Sequence, residues 1–332
     1  MKILVTGGAG FIGSHLVEAL QNDHQVVVTD DFNDFYPPVL KEQNTIGFST
    51  KVRKVAIDIA DADAVDRIFD SHGPFDLIIH LAARAGVRPS IQHPALYVRT
   101  NVEGTLNLLE AARKSGTRRF IFASSSSVYG LAPLPFTEDM PLLQTISPYA
   151  ATKLAGEQLC ANYAHLYGIR TVALRFFTVY GPRQRPDLAI YKFADLMLRG
   201  KPIPVFGDGT TRRDYTYVRD IVQGITAAIS YEGPVFDIFN LGENRTVTLS
   251  ELISRMESAL GVSAIIDRQP AQPGDLPATW ADITKARSVL GYAPTTALED
   301  GLAEFATWFR AHRAVPLPPL PPLRLQTVQS VA

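Results

Sequence analysis

The sequence predicts an α/β fold, with a doubly wound parallel sheet followed by a smaller α+β region. Two observations predict it. Short apolar runs recur through the first half without the alternation of a half-solvated strand, which suits strands buried on both faces. Stretches of helical period lie between them over residues 1–175. Strand and helix in alternation give a doubly wound sheet.

The elements follow in order. KILVT (2–6) is the first strand, and FIGSHLVEALQN (11–22) places Ile12, Leu16, Ala19 and Leu20 at helical spacing. HQVVVTD (24–30), KVRKVAID (51–58), FDLIIHLA (75–82), RRFIFASS (118–125) and RTVALRF (170–176) are the further strands. DADAVDRIFDSHG and NVEGTLNLLEAARKSG are helices between them. After residue 175 the alternation lapses into the loops YGPRQRPD and FGDGTTRRD, with helix-like DIVQGITAAIS and TLSELISRMESALG. That stretch, 176–312, reads as the second region, mainly serving a substrate. Residues 313–332 are proline-rich, unsuited to helix or interior strand, and read as a disordered or polyproline tail.

Composition narrows the class. The 332 residues are 46% hydrophobic and 20% charged, which excludes disorder along the whole chain. Lys and Arg total 32 against 33 for Asp and Glu, a net charge of -1 that gives no support for nucleic-acid binding. Cys160 is the single cysteine, so an intramolecular disulfide is impossible. The seven histidines are scattered without ligand spacing, and no metal is expected. No run is long enough for a signal peptide or membrane span, so a soluble, cytoplasmic protein is expected.

Gly7, Gly10 and Gly13 stand between the first strand and the first helix. Glycines there permit a tight turn and close approach of a pyrophosphate, whose charge meets the helix N-terminus. The second strand ends in Asp30, placed to accept both ribose hydroxyls of an adenosine and to repel a 2′-phosphate. NAD is therefore favoured over NADP.

In SPYAATKLAGEQL, Ser147 and Pro148 signal a helix start, and Tyr149 and Lys153 share a face one turn apart. A tyrosine hydroxyl titrates near 10, so a base at neutral pH needs about three units of depression. The lysine cation and the helix N-terminus are expected to supply it. The run FASSSSVYG (122–130) follows the fifth strand, where carboxyl ends face the ligand crevice.

TGGAGFIG, the Asp30 strand end, HLAA, SSSSVYG and YAATK in this order resemble the extended short-chain dehydrogenase/reductase family of nucleotide-sugar epimerases and dehydratases. The resemblance spans residues 1–312 and implies a Rossmann-type NAD domain. AARAGVRPSIQHP (82–94), LRFFTVYGPRQRPDLAIYKF (174–193) and QPGDLPATWADITKA (272–286) are most similar to its UDP-glucuronate 4-epimerases.

The resemblance implies that Tyr149 is the base, Lys153 binds the nicotinamide ribose, and Ser125 assists. It also implies that Phe11, Ile12, Asp31, Asn33, Asp58, Ile59, Leu81, Ala82 and Ala83 join the glycines and Asp30 around NAD. Arg213 matches a diphosphate-binding arginine and Asp275 an acid on the UDP ribose, while Arg88, Thr178 and Arg185 fall in substrate loops. A homodimer is expected by the same analogy. Arg84 and Pro89 depart from the family, which commonly has Gln and a larger residue there.

The reaction implied is inversion at the sugar 4-position through a 4-keto intermediate, most simply UDP-glucuronate to UDP-galacturonate. Dehydratases and decarboxylases carry carboxylates just before VYG, where this chain has Ser126 and Ser127. Ser125, Ser126, Ser127 and Thr178 would hold the substrate carboxylate by hydroxyls and oppose its loss. A UDP-glucose or UDP-pentose 4-epimerase is the alternative, and a catalytically silent NAD-binding scaffold a more distant one.

Overall fold

The computed structural model describes residues 1–142, 144–270 and 276–312. Its centre is a seven-stranded, all-parallel sheet. Six strands are β1 (Lys2–Thr6), β2 (Gln25–Asp30), β3 (Arg53–Ala56), β4 (Leu77–His80), β5 (Arg119–Ser125) and β6 (Arg170–Phe176). The seventh, Phe236–Leu241, adds beside β6, giving the order Phe236–Leu241, β6, β5, β4, β1, β2, β3. The order reverses at β1, where a doubly wound sheet opens a ligand crevice.

Both faces of the inner strands are dry, as the unalternating runs predict, while the edge strand β3 is mostly exposed. Ile3 and Val5 of β1 join one core and Leu4 the other; Leu77 and Ile79 of β4 likewise oppose Ile78. Successive side chains on a strand point to opposite faces, so a doubly covered strand needs apolar residues throughout.

The helix that carries Tyr149 runs Pro148–Tyr167, with Pro148 in its first turn and the Ser147 hydroxyl accepting from the Ala150 amide at 3.1 Å. It lies close on β5 because Gly156 leaves room: a Cβ there would meet the Phe122 ring at 2.4 Å. Cys160, on the same helix, is fully buried as a small core residue.

Beyond residue 176 lie two-stranded pieces, Thr178–Tyr180 with Tyr215–Tyr217, Arg212–Arg213 with Val247–Thr248, and Ile203–Phe206 with Ile266–Gln269. The helix Val218–Ile229 nevertheless packs on the first helix α1 (Phe11–Leu20), and Phe236–Leu241 completes the central sheet. The chain thus returns to the sheet beyond the boundary read at residue 175. Polar Asp237 and Asn240 interrupt the apolar run of that last strand, so it lacks the signature of the inner strands. No helix among the described residues is long and apolar enough to cross a membrane.

Candidate active site

The crevice is built first from backbone. Gly7 leaves β1 with φ 70°, its amide donating to the Thr29 carbonyl at 2.7 Å. A Cβ on Gly7 would lie 2.7 Å from the Ala82 nitrogen, and one on Gly13 would lie 2.2 Å from the Gly7 carbonyl oxygen. Gly10 caps α1 without a side chain, so no side-chain cap occupies the amides of the first turn.

Asp30 ends β2 nearly buried, with its carboxylate accepting from the Phe32 amide at 3.0 Å. Burial raises its pKa, and the ammonium of Lys41 opposes that. Lys41 stands 3.4 Å from Asp30 and 3.5 Å from Asp31, one cation between two carboxylates, so this end stays net negative.

A buried polar chain sets the strand end opposite. Thr105 donates to the Asn101 carbonyl at 2.6 Å, so at 3.0 Å it must accept from His80 Nε2–H. His80 Nδ1 then accepts from the Thr6 hydroxyl at 2.7 Å, and Thr6 accepts the Ala82 amide at 3.2 Å. Burial holds the His80 pKa down at about 3, so the ring is a neutral strut that fixes Leu81–Ala83 against Gly7.

At the Tyr149 end, Ser127 donates both its amide (3.2 Å) and its hydroxyl (3.0 Å) to Ser125 Oγ. The Ser125 hydrogen is thereby left for Tyr149, whose phenolate it favours. The electrostatics differ from the expectation. Burial raises the Tyr149 pKa, and the groups that pull it down are Ser125 and the Arg185 guanidinium, not Lys153. Lys153 Nζ instead donates to the Ala123 carbonyl at 2.7 Å over the Phe122 ring, and burial lowers its pKa to about 8.

One cavity gathers Gly7, Gly10, Phe11, Ile12, Gly13, Asp30, Asp31, Asn33, Asp58, Ile59, Leu81, Ala82, Ala83, Tyr149, Lys153 and Arg185. Ser124 lines it too, while Ser125, Ser126 and Ser127, at the start of a short 3-10 turn, are not among its lining residues. Thr178 opens the strand after β6, Arg88 stacks on Phe206 at 4.8 Å, and Arg213 lies on the Arg212–Arg213 strand; none of the three borders this cavity. Asp275 and the tail 313–332 lie outside the described residues.

Sequence reasoning missed Lys41, Phe35 and Tyr36, which also line the cavity. No spacing rule marks them, since a loop and a short helix bring them back onto the β2 end. Arg84, noted only as a departure, also lines the cavity, with Nη1 donating to Asn33 Oδ1 at 3.1 Å. No cluster of potential metal ligands occurs among the described residues.

The chain belongs to the NAD dependent epimerase/dehydratase family, whose sequence model matches residues 3–242. It is 40% identical over 309 residues to a UDP-glucuronate 4-epimerase of Thermodesulfobacterium geofontis, across 92% of this chain and 95% of that one. Its fold matches the UDP-glucuronic acid 4-epimerase of Bacillus cereus, solved with UDP-glucuronic acid and NAD, at TM-score 0.87 and 39% identity over 94% of this chain and 99% of that one. The UDP-glucose 4-epimerase of Thermotoga maritima, solved with UDP-glucose, matches at 0.86 and 35% identity over the same shares.

Proposed function

We propose that this chain is an NAD-dependent 4-epimerase of UDP-sugars that converts UDP-glucuronate to UDP-galacturonate. The observation that carries the proposal is the meeting, in one cavity, of a glycine cradle that leaves no room for a Cβ at Gly7 or Gly13 and a half-buried Tyr149 one helical turn from Lys153. The cradle and Asp30 fit NAD, with Gly7, Gly10 and Gly13 at its diphosphate and Asp30 at its adenosine ribose. When bound, NAD supplies a hydride acceptor that returns the hydride within each turnover.

The chain's own residues do the rest. Tyr149 takes the proton of the sugar 4-hydroxyl and gives it back to the 4-keto oxygen. Ser125, already accepting twice from Ser127, donates to the Tyr149 oxygen and steadies the phenolate. The Arg185 guanidinium favours that anion and faces the anionic sugar. Lys153, anchored on Ala123, turns its remaining ammonium hydrogens to the nicotinamide ribose. Arg213 and Asp275 serve the UDP portion, and Arg88 belongs to the substrate loops.

Inversion rather than elimination is favoured because, among the described residues, no carboxylate lining the cavity stands beside Tyr149. The carboxylates lining the cavity (Asp30, Asp31 and Asp58) belong to its adenosine end. Glu157, behind Ser124, is fully engaged by Arg175 at 2.9 and 2.8 Å. The Ser126 and Thr178 hydroxyls hold the substrate carboxylate without adding like charge, since the hydrogens of Ser125 and Ser127 are donated within the Tyr149 network.

The single buried cysteine suits the cytoplasm. Exposed Leu106 and Leu166, on the helices Gly104–Ser115 and Pro148–Tyr167, support a homodimer.

Purified protein without added NAD, given UDP-glucuronate and UDP-glucose separately, tests the reading by product chromatography. Conversion of UDP-glucuronate at the higher kcat/KM is expected. Faster turnover of UDP-glucose would transfer the assignment to the neutral sugar, and substantial UDP-pentose would refute the role of the hydroxyls.

A further inference from the structure

The loop from Gly181 to Asp187 carries Arg185 to the cavity, and two contacts tie that loop to α1. Arg183 has left-handed backbone, φ 64°, which a non-glycine residue holds only where its surroundings enforce it. Its Nη2 donates to Glu18 Oε1 at 2.7 Å, with both side chains largely buried. The neighbouring Pro182 carbonyl accepts from His15 Nε2 at 3.0 Å. Burial brings the His15 pKa down to about 4, so this donor stays neutral at physiological pH.

His15 and Glu18 are three residues apart and share a face of α1. The first turn of that helix is the glycine cradle. Glu18 has room because residue 47 is glycine: a Cβ there would stand 2.2 Å from Glu18 Oε1. The opposite side of the loop reaches Tyr149, through Arg185 held bidentate by Asp187 at 2.9 and 2.8 Å. A single rigid helix therefore touches both the cofactor cradle and the loop that presents the active-site cation.

We propose that His15, Glu18 and Arg183 are positioning residues, a latch by which α1 holds the 181–187 loop so that Arg185 meets the substrate. The proposal rests on the reading of Arg185 as a substrate-binding cation.

Two variants of the full-length holoenzyme test it. Glu18→Gln keeps the shape and removes the anchoring charge. Arg183→Gly keeps the left-handed turn without strain and removes the guanidinium. Each is expected to raise KM for UDP-glucuronate about fivefold, the scale of a largely buried ion pair, with kcat and bound NAD within about twofold of wild type. The double variant is expected to be no worse than either single one, because both break the same contact. Arg183→Lys should recover part of the loss.

An unchanged KM in both single variants would overturn the latch. So would a lower KM in Glu18→Gln, because that result means Arg183 serves the substrate by its own charge. Amide hydrogen exchange over residues 181–187 reads the latch without turnover and should quicken in Glu18→Gln while α1 stays protected. Unchanged exchange would overturn the latch even if wild type proved inert on UDP-glucuronate, whereas inertness with quickened exchange would overturn only the reading of Arg185.

Discussion

The two ends of the cavity are built by different means. At the cofactor end, backbone does the work: a left-handed Gly7, a Gly13 packed on the Gly7 carbonyl, and a strand end fixed through His80. At the sugar end, side chains do it: Tyr149 and Ser125 on regular elements, and Arg185 on a loop anchored to a helix far away in sequence. A backbone site tolerates no change of shape, whereas a side-chain site tolerates shape changes and depends on charge and hydroxyl placement. Substitutions should therefore separate retention of the cofactor from chemistry on the sugar.

The largest effect is expected at Tyr149. Tyr149→Phe keeps the ring and deletes the proton carrier, so kcat should fall about a thousandfold, within the range for a general acid–base group. Bound NAD, read by absorbance after denaturation, should be unchanged. Loss of the cofactor as well would mean that the two ends are not separable.

Gly13→Ala attacks the other end. Its Cβ would sit 2.2 Å from a backbone oxygen that cannot move aside cheaply. Overpacking of this kind costs about 1–3 kcal/mol. The variant should purify without NAD and melt several degrees lower, while alanine at Gly116, with open space but φ 77°, should leave NAD in place.

A smaller effect is expected at Asp30. Asp30→Ala removes one of the two carboxylates facing Lys41, and NAD affinity should fall about tenfold by calorimetry. NADP should lose less, because a 2′-phosphate then meets less negative charge. Equal losses for the two would show that Asp30 does not discriminate between them.

A further effect concerns pH and touches stability alone. His15 and His80 have pKa values lowered by burial to about 4 and about 3, below the ordinary 6.5 of the unfolded chain. Above pH 6.5 both states are neutral and neither residue contributes a slope. Below it the unfolded chain binds protons that the folded one refuses, so stability falls as pH drops from about 6.5 towards 4. Each histidine adds up to about 1.4 kcal/mol per pH unit there. Denaturation midpoints for His80→Gln across this window should show a shallower slope than wild type.

The same contrast explains what the sequence made legible. Glycines that admit no Cβ and a strand ending in Asp30 leave a local signature, and the residues expected around NAD all line the observed cavity. Ser147 and Pro148 likewise announced the helix that carries Tyr149. Spacing placed Lys153 on the Tyr149 face but not the direction of its long side chain, which here turns to Ala123 while still lining the cavity. Lys41 and the strand Phe236–Leu241 went unseen because each reaches its place through tertiary packing, with polar residues interrupting any period. The Glu18–Arg183 pair joins positions 165 residues apart, and no local pattern links them.

The central claim is that cofactor retained by the backbone end serves a reversible inversion at the sugar end. Incubation of the protein as purified with UDP-glucuronate in deuterated water, followed by chromatography and NMR of the products, tests it most directly. The account predicts UDP-galacturonate that keeps its original hydrogen at the 4-position. Deuterium at that carbon, or UDP-pentose as the main product, would contradict it.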